Sequence, residues 1–216
     1  MNYLQAVNKV LKRLRERPVT AVTDNDYSEL VGMFINDAKR EVEEAWDWSA
    51  LRTSLTVSTT ADVFNYELNG TQNDINVLDV MNVTTTSFME YQTAKWFDSK
   101  FLYTSSATAT GSPAYYSFNG VSDDGDTLVD LYPKPDGVYT LRFNVVARTP
   151  DLEGDADKFN IPSHPVVLLA YAKAVEERGE DNGQLGNTAF LNANKVMNDA
   201  IQLDANKHPE ELIWTS

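Results

Sequence analysis

Histidine and cysteine, the side chains that most often serve catalysis and metal binding, are scarce in this sequence. The chain has no cysteine and two histidines, which excludes disulfides, thiolate metal sites and thiol nucleophiles. His164 stands between Ser163 and Pro165, and His208 directly precedes Pro209. Neither has a second histidine at the spacing of a zinc-hydrolase motif, so we interpret both as structural residues at helix ends.

Two acidic stretches have the composition of a cation-binding loop. "DLEGDAD" runs from Asp151 to Asp157, and "SDDGD" occupies residues 122–126. An EF-hand beginning at Asp151 needs glycine at its sixth position and glutamate at its twelfth, where this chain has Ala156 and Pro162. We therefore interpret the first stretch as a solvated loop between domains and the second as a tight turn, and we expect no metal or other cofactor.

The sequence has no motif of a nucleophilic serine, a phosphate-binding loop or a dinucleotide-binding fold. A glycosidase needs two carboxylates that converge in a cleft, and the 32 acidic residues single out no pair. A set of aromatic residues can line a carbohydrate groove, or it can pack a β core or a subunit interface. They are Tyr91, Trp96, Phe97, Phe101, Tyr103, Tyr115, Tyr116 and Phe118. The sequence thus favours a structural or interaction protein over an enzyme.

The charge distribution is uneven. A net charge of −14 argues against a protein that grips nucleic acid through its phosphates, because that mode needs an excess of basic residues on the contact face. Basic residues nevertheless cluster in the first segment. They are Lys9, Lys12, Arg13, Arg15 and Arg17. This cluster is either a solvated helix face or a contact with an acidic partner subunit.

Apolar residues three and four apart predict two helices at the start of the chain. The first covers Asn2–Arg17 and stops at Pro18. It lacks the apolar core of a secretion signal, so we expect no signal peptide. The second has Asp26 as its N-cap, Glu29 closing the capping box, and an apolar stripe that continues to Trp46. Its opposite face carries Lys39, Arg40, Glu41, Glu43 and Glu44.

Two further helices are predicted near the end of the chain. The third begins with Ser163 as a cap and stops at Gly179. The fourth has an apolar stripe over residues 189–203 and ends before Pro209. No run approaches 18 consecutive apolar residues, so no membrane span is expected.

Between the helix pairs, about 100 residues are rich in β-branched side chains and turn signals. Strands are predicted in "LRTSLTVSTT", "VFNYEL", "INVLDVMNVTTT", "KFLYTS", "AYYSFNG", "TLVDLYP" and "VYTLRFNVVAR". The clearest hairpin pairs residues 127–132 with residues 139–145 through the turn "KPDG". We predict an α+β fold: a four-helix bundle (residues 1–50 and 160–209), an inserted antiparallel β domain (51–159) and a C-terminal tail (210–216).

Four segments resemble the head-to-tail adaptor, or connector, proteins of tailed bacteriophages. "YLQAVNKVLKRLRE" is similar to their first helix, and "LVGMFINDAKREVEEAWDWSALRTSLTV" to their second helix with its aromatic end. "LYPKPDGVYTLRFNVVARTPDL" resembles the last hairpin, and "IPSHPVVLLAYAKAVEERGEDNG" the returning helix. The resemblance implies a structural virion protein of the neck or tail, made in the host cytoplasm. It implies a ring, usually a dodecamer, that lies under the portal, extends the DNA channel and docks the tail.

The resemblance also implies partners: the portal, downstream tail or nozzle proteins, and genomic DNA that passes through the lumen without specific binding. In the family the C-terminal tail inserts into the portal, so we expect Leu212, Ile213 and Trp214 to bind there. Carboxylates of the second helix or of the β turns are expected to line the lumen, because they repel phosphates. The alternative is a tail-associated protein that binds carbohydrate or hydrolyses glycans.

Two tryptophans, Trp46 and Trp48, lie where the second helix gives way to the first strand. Trp46 continues the apolar stripe and is expected to face the bundle, whereas Trp48 is about 200° further round a helix. We therefore interpret the pair as a structural lock at the domain junction.

Overall fold

The structure, a computed structural model, describes residues 1–102, 108–179 and 184–207. Backbone contacts divide the chain into two units. One contains residues 1–51 and the described residues from Arg148 onwards, and the other is Arg52–Ala147. The first unit is helical and the second is rich in strands, which confirms the predicted α+β class.

Five helices occur in the described part of the chain. They are α1 (Tyr3–Arg13), α2 (Asp26–Glu44), α3 (Ala94–Phe101), α4 (Ser163–Arg178) and α5 (Gln184–Ala205). In the helical unit, α1, α2 and α4 each contact the other two, and α5 packs mainly on α4. Their shared core consists of small and branched apolar residues, among them Val7, Val31, Ile35, Val166 and Ala170, which are all fully buried.

Helix α1 ends four residues earlier than its sequence pattern predicts. Arg15 has a positive φ of 61°, and its N–H donates to the carbonyl of Lys12 while the N–H of Glu16 donates to that of Leu11. These two bonds form a Schellman motif, in which a left-handed residue satisfies the last carbonyls of a helix. The helix therefore stops at Arg13 and not at Pro18.

Two predicted helix caps lie one residue too late. The capping box of α2 uses Asn25, whose Oδ1 accepts from the N–H of Ser28 at 2.9 Å; Asp26 is already helical. At α4 the N-cap is Pro162 and Ser163 is the first helical residue. Asparagine and aspartate are about equally good N-caps. The residue types at positions 25 and 26 therefore did not decide which of the two caps α2.

The β unit contains two four-stranded sheets. Its strands are β1 (Arg52–Ser58), β2 (Asn65–Leu68), β3 (Ile75–Asn82), β4 (Ser87–Phe88), β5 (Glu90–Tyr91), β6 (Tyr115–Val121), β7 (Thr127–Tyr132) and β8 (Thr140–Ala147). The sheet orders are β1-β8-β3-β4 and β2-β7-β6-β5. All neighbouring strands are antiparallel except β5 and β6. One core cluster joins side chains of both sheets, including Leu68, Val80, Val129, Leu131 and Phe143.

The predicted hairpin between residues 127–132 and 139–145 is wrong. β7 pairs with β2 and β6, whereas β8 is the neighbour of β1 and β3 in the other sheet. The residues between them cannot close a tight turn, because their backbone groups bond elsewhere. The N–H of Lys134 donates to Ala109, and the carbonyl of Pro135 accepts from Asp62. Both strands bury alternate apolar side chains, and placing them in separate sheets lets both contribute to one core.

The turn at residues 122–126 is confirmed, since β6 and β7 pair across it and Gly125 has a φ of 87°. The strand predicted in "KFLYTS" is wrong at Lys100 and Phe101, which belong to α3; its residues 103–105 lie outside the described ranges. Thr93 caps α3 by accepting from the N–H of Trp96 at 3.3 Å, a start signal that the strand interpretation overlooked.

Candidate functional site

The first candidates for catalysis and metal binding are the histidines and the acidic side chains. His164 is exposed in the first turn of α4, and His208 lies outside the described residues. Within the described ranges, no group of three or more histidine, aspartate and glutamate side chains is placed to hold a metal ion.

The aromatic residues of the β unit pack on one another in two groups. The ring of Trp96 lies 5.0 Å from that of Tyr115 and 5.3 Å from that of Tyr132, between centroids. The ring of Tyr91 lies 5.7 Å from that of Tyr116, and the ring of Phe118 lies 5.7 Å from that of Tyr116. Tyr91 and Phe118 are nevertheless exposed, by 55% and 36%, whereas Tyr116 belongs to the core shared by the two sheets. Tyr103 lies outside the described residues.

The two tryptophans at the end of α2 have the opposite burial to that expected. Trp48 is 1% exposed, and its Nε1–H donates to the carbonyl of Val42 at 2.6 Å. Trp46 is 36% exposed. The stripe predicted Trp46 to be buried because it assumed a continuing helix, but α2 ends at Glu44 and the turn that follows reverses the two side chains. A role of this pair at the domain junction stays a prediction.

A buried ion pair lies on the face of α2 that sequence reasoning assigned to solvent. Lys39 and Glu43 are 2% and 4% exposed, and Nζ of Lys39 lies 3.2 Å from Oε1 of Glu43. Thr149 completes the network: its carbonyl accepts from Lys39 at 2.7 Å and its hydroxyl donates to Glu43 at 2.6 Å. The i,i+4 spacing of the pair is visible in the sequence, but only the docking of the chain at Thr149 buries it.

The acidic stretch that follows is largely exposed, as expected of a solvated loop, and it is also bonded to the helical unit. The N–H of Leu152 donates to Oδ1 of Asn36 at 2.9 Å, and Oδ1 of Asp155 accepts from the N–H of Val22 at 3.0 Å. The carbonyl of Asp157 accepts from the N–H of Tyr3 at 2.8 Å. These bonds fasten the stretch to the N-terminal part of the helical unit.

Asp204 fastens the end of α5 to the turn after α2. Its two carboxylate oxygens accept from the N–H and the hydroxyl of Ser49 at 2.8 and 2.6 Å, and Lys207 donates at 2.9 Å. Burial raises the pKa of Asp204, but the bonds from Ser49 and Lys207 outweigh it and lower the pKa to about 2. Sequence reasoning missed this residue, because it lies 155 positions from its partner.

The basic cluster predicted on the first helix is exposed. All five side chains face solvent, and among the described residues no carboxylate forms an ion pair with any of them. Arg15 and Arg17 line an open groove of about 530 Å³ together with Tyr27 and Arg178. Arg178 is already engaged, since it donates to Glu16 and to the Tyr27 hydroxyl at 2.7 Å each. Of the three cations that line this groove, Arg15 and Arg17 therefore have no ion pair with any described carboxylate.

The residues predicted to bind the portal, Leu212, Ile213 and Trp214, lie outside the described residues. The helix that precedes them, α5, ends at Ala205, and its last turn is held by Asp204. The predicted role of these three residues stays a prediction.

Comparison with known protein families adds the decisive observation. A family model described as "SU10 adaptor protein" matches residues 1–209, so the match spans both the helical and the β unit. The chain belongs to the SU10 adaptor protein family. Membership supports a phage adaptor with a structural role and a place in the virion, in association with head and tail proteins.

No curated protein matches the chain significantly. Among the described helices, none combines the length and apolar character that crossing a bilayer requires.

Proposed function

We propose that this adaptor is the head-to-tail connector of a tailed phage, assembled as a ring of about twelve copies beneath the portal. The observation that carries the proposal is the family match over residues 1–209. In this proposal the ring extends the DNA channel, binds the portal on one side and docks the tail on the other. The protein is made in the host cytoplasm and incorporated into the virion neck.

In the proposed ring, the helical unit is the structural body. Helices α1, α2, α4 and α5 act as a four-helix bundle to which the first and last parts of the chain both contribute, and the β unit is an inserted domain. Helix α5 has apolar side chains that remain exposed, including Leu191 and Leu203. Exposed leucines on a helix that packs mainly on one neighbour are consistent with burial against another subunit.

The acidic surface has a role in this proposal. Many carboxylates are exposed, among them Asp123 and Asp124 in the β6–β7 turn. Such groups facing the ring axis repel the phosphates of DNA, and they let the genome slide without binding. Glu43 of α2 is excluded from this role because it is buried against Lys39 and Thr149.

The portal contact is proposed to be the C-terminal segment with Leu212, Ile213 and Trp214. Tryptophan and large apolar residues provide most of the energy in typical interfaces. The test is assembly of the full chain on its portal ring, measured by mass photometry and imaged by cryo-EM. We expect a single discrete complex, and Trp214→Ala to reduce its amount at least about tenfold.

The matched control is Phe88→Ala, which also removes a large apolar side chain from an exposed position, 69% exposed on β4. It is expected to leave portal binding intact. Failure of the wild-type chain to form a ring on the portal contradicts the proposed function. Ring formation that is insensitive to Trp214→Ala contradicts only the tail contact.

A further inference from the structure

Helix α1 presents a basic face without an ionic partner among the described residues, although the guanidinium of Arg13 lies 5.8 Å from the ring centroid of Tyr171. Lys9, Lys12 and Arg13 are three and four residues apart, so they share one side of the helix, and Arg15 and Arg17 extend the charge beyond its end. We name these five residues the basic face. All are exposed, and no described carboxylate pairs with any of them, although the chain as a whole has a net charge of −14.

The backbone conformation of Arg15 is unfavourable for a residue with a side chain. Arg15 occupies the left-handed position of the Schellman motif, with φ 61°, where glycine is the usual residue because it has no Cβ. A non-glycine residue costs roughly 1 kcal/mol there.

Helix α2 presents the complementary surface. Asp26, Glu29, Met33 and Asp37 follow at spacings of three and four and form a single stripe. All four are exposed, Met33 by 64%, and the three carboxylates have no ion pair among the described residues. We name these four residues the acidic face. A large apolar side chain ringed by charges is the usual layout of an interface centre with a polar rim.

We propose that the basic face of α1 in one copy binds the acidic face of α2 in a neighbouring copy. The two faces are different surfaces of the same unit, which a head-to-tail contact between identical subunits requires. The inference rests on the proposed ring and names the subunit contact that builds it.

Charge reversal tests the contact. The first variant carries Lys9→Glu and Arg17→Glu, and the second carries Glu29→Lys and Asp37→Lys. Each alone places like charges across the contact, and we expect at least about tenfold less ring on the portal than for the wild type. A 1:1 mixture of the two restores opposite charges at every contact, so ring formation is expected to recover. A chain with all four changes is expected to assemble as well.

The matched control exchanges Lys95→Glu and Asp98→Lys, which are exposed on α3, and it is expected to assemble normally. Melting temperatures report whether any variant is unfolded. In that event Lys9→Cys and Met33→Cys replace it, because the chain has no other cysteine. A disulfide between copies that forms only in the mixture of these two variants supports the contact.

The outcomes separate the two proposals. Rings that form equally well from either reversed variant, or a cysteine mixture without cross-linked dimers, overturn the α1–α2 contact and leave the ring standing. Absence of rings from the wild-type chain overturns the proposed function and this contact with it. Because both faces are exposed to solvent, wild-type assembly that is insensitive to salt between 50 and 500 mM, as order-of-magnitude limits, also argues against the contact.

Discussion

At the residue scale, the helical unit contains a few buried side chains that their charge or their place in the sequence pattern would assign to the surface. Trp48 is enclosed although it follows the end of α2, and its indole N–H binds the carbonyl of Val42, one of the last carbonyls of that helix. Lys39 and Glu43 are buried although both are charged, and Thr149 forms a hydrogen bond with each of them. Each case pairs a buried polar group with a partner, which is the condition for burial without a large free-energy cost.

Alanine substitutions of the two tryptophans compare the contribution of a buried ring to stability with that of a partly exposed one. We expect Trp48→Ala to lower the free energy of unfolding by about 3–5 kcal/mol, because it opens a cavity and leaves the Val42 carbonyl without its donor. Trp46→Ala is its matched control at a position 36% exposed, and it should cost less than about 1 kcal/mol. Urea denaturation followed by circular dichroism measures both. Equal losses contradict the burial described for the pair.

At the element scale, α5 differs from the other three long helices. Its buried residues are Gly186, Ala193 and Asp204, all small or polar, and it packs mainly on α4. A helix with so little apolar burial depends on specific anchors. Asp204 is such an anchor, since three donors from Ser49 and Lys207 fix the last turn of α5 to the turn after α2.

The anchor has a pH dependence whose sign follows from the pKa. The folded pKa of Asp204 is about 2, below its ordinary value of 3.8. The stabilisation of the folded state by the ionised Asp204 carboxylate is therefore complete above about pH 5. It is lost as the carboxylate is protonated, when the pH falls from 4 towards 2. We expect Asp204→Asn to be about 1–2 kcal/mol less stable than the wild type at pH 6, with the difference vanishing near pH 2.

Chemical denaturation at a series of pH values measures this difference. Asp199→Asn changes an exposed carboxylate on the same helix and is expected to have no such effect. A stability difference for Asp204→Asn that stays constant from pH 6 to pH 2 contradicts an ionised anchor.

At the scale of the whole molecule, the chain leaves the helical unit and returns to it at neighbouring points of one sheet. Arg52 of β1 pairs with Val146 of β8, so the two ends of the β unit lie about 5 Å apart, the spacing of paired strands. The β unit also has its own core, formed by side chains of both sheets. These two properties are those of an inserted domain that can fold alone.

Excision tests this property. We expect residues 52–147 to fold as an isolated protein, with a β-type circular dichroism spectrum and a cooperative thermal transition. The complementary chain, with Leu51 joined to Arg148 by a short glycine-serine linker, is expected to keep its helical spectrum. An isolated β unit without a cooperative transition contradicts the independent core.

The sequence by itself determined whatever depends on neighbours along the chain. Apolar periodicity located α1, α2, α4 and α5, the Asp-Gly turn located the β6–β7 hairpin, and the absence of cysteine and of catalytic motifs directed attention to a structural protein. The resemblance to phage adaptors agrees with the family to which residues 1–209 belong. Each of these properties is set within a few residues, where spacing and side-chain type are sufficient.

Only the tertiary structure decided what depends on distant partners. It placed β7 and β8 in different sheets, because two amphipathic strands bury more apolar surface in facing sheets than in one hairpin. It buried Trp48 and exposed Trp46, because α2 ends before its apolar stripe does. It joined Asp204 to Ser49 and Thr149 to the Lys39–Glu43 pair across more than 100 residues. No local pattern encodes such contacts, since they arise only when separate elements pack together.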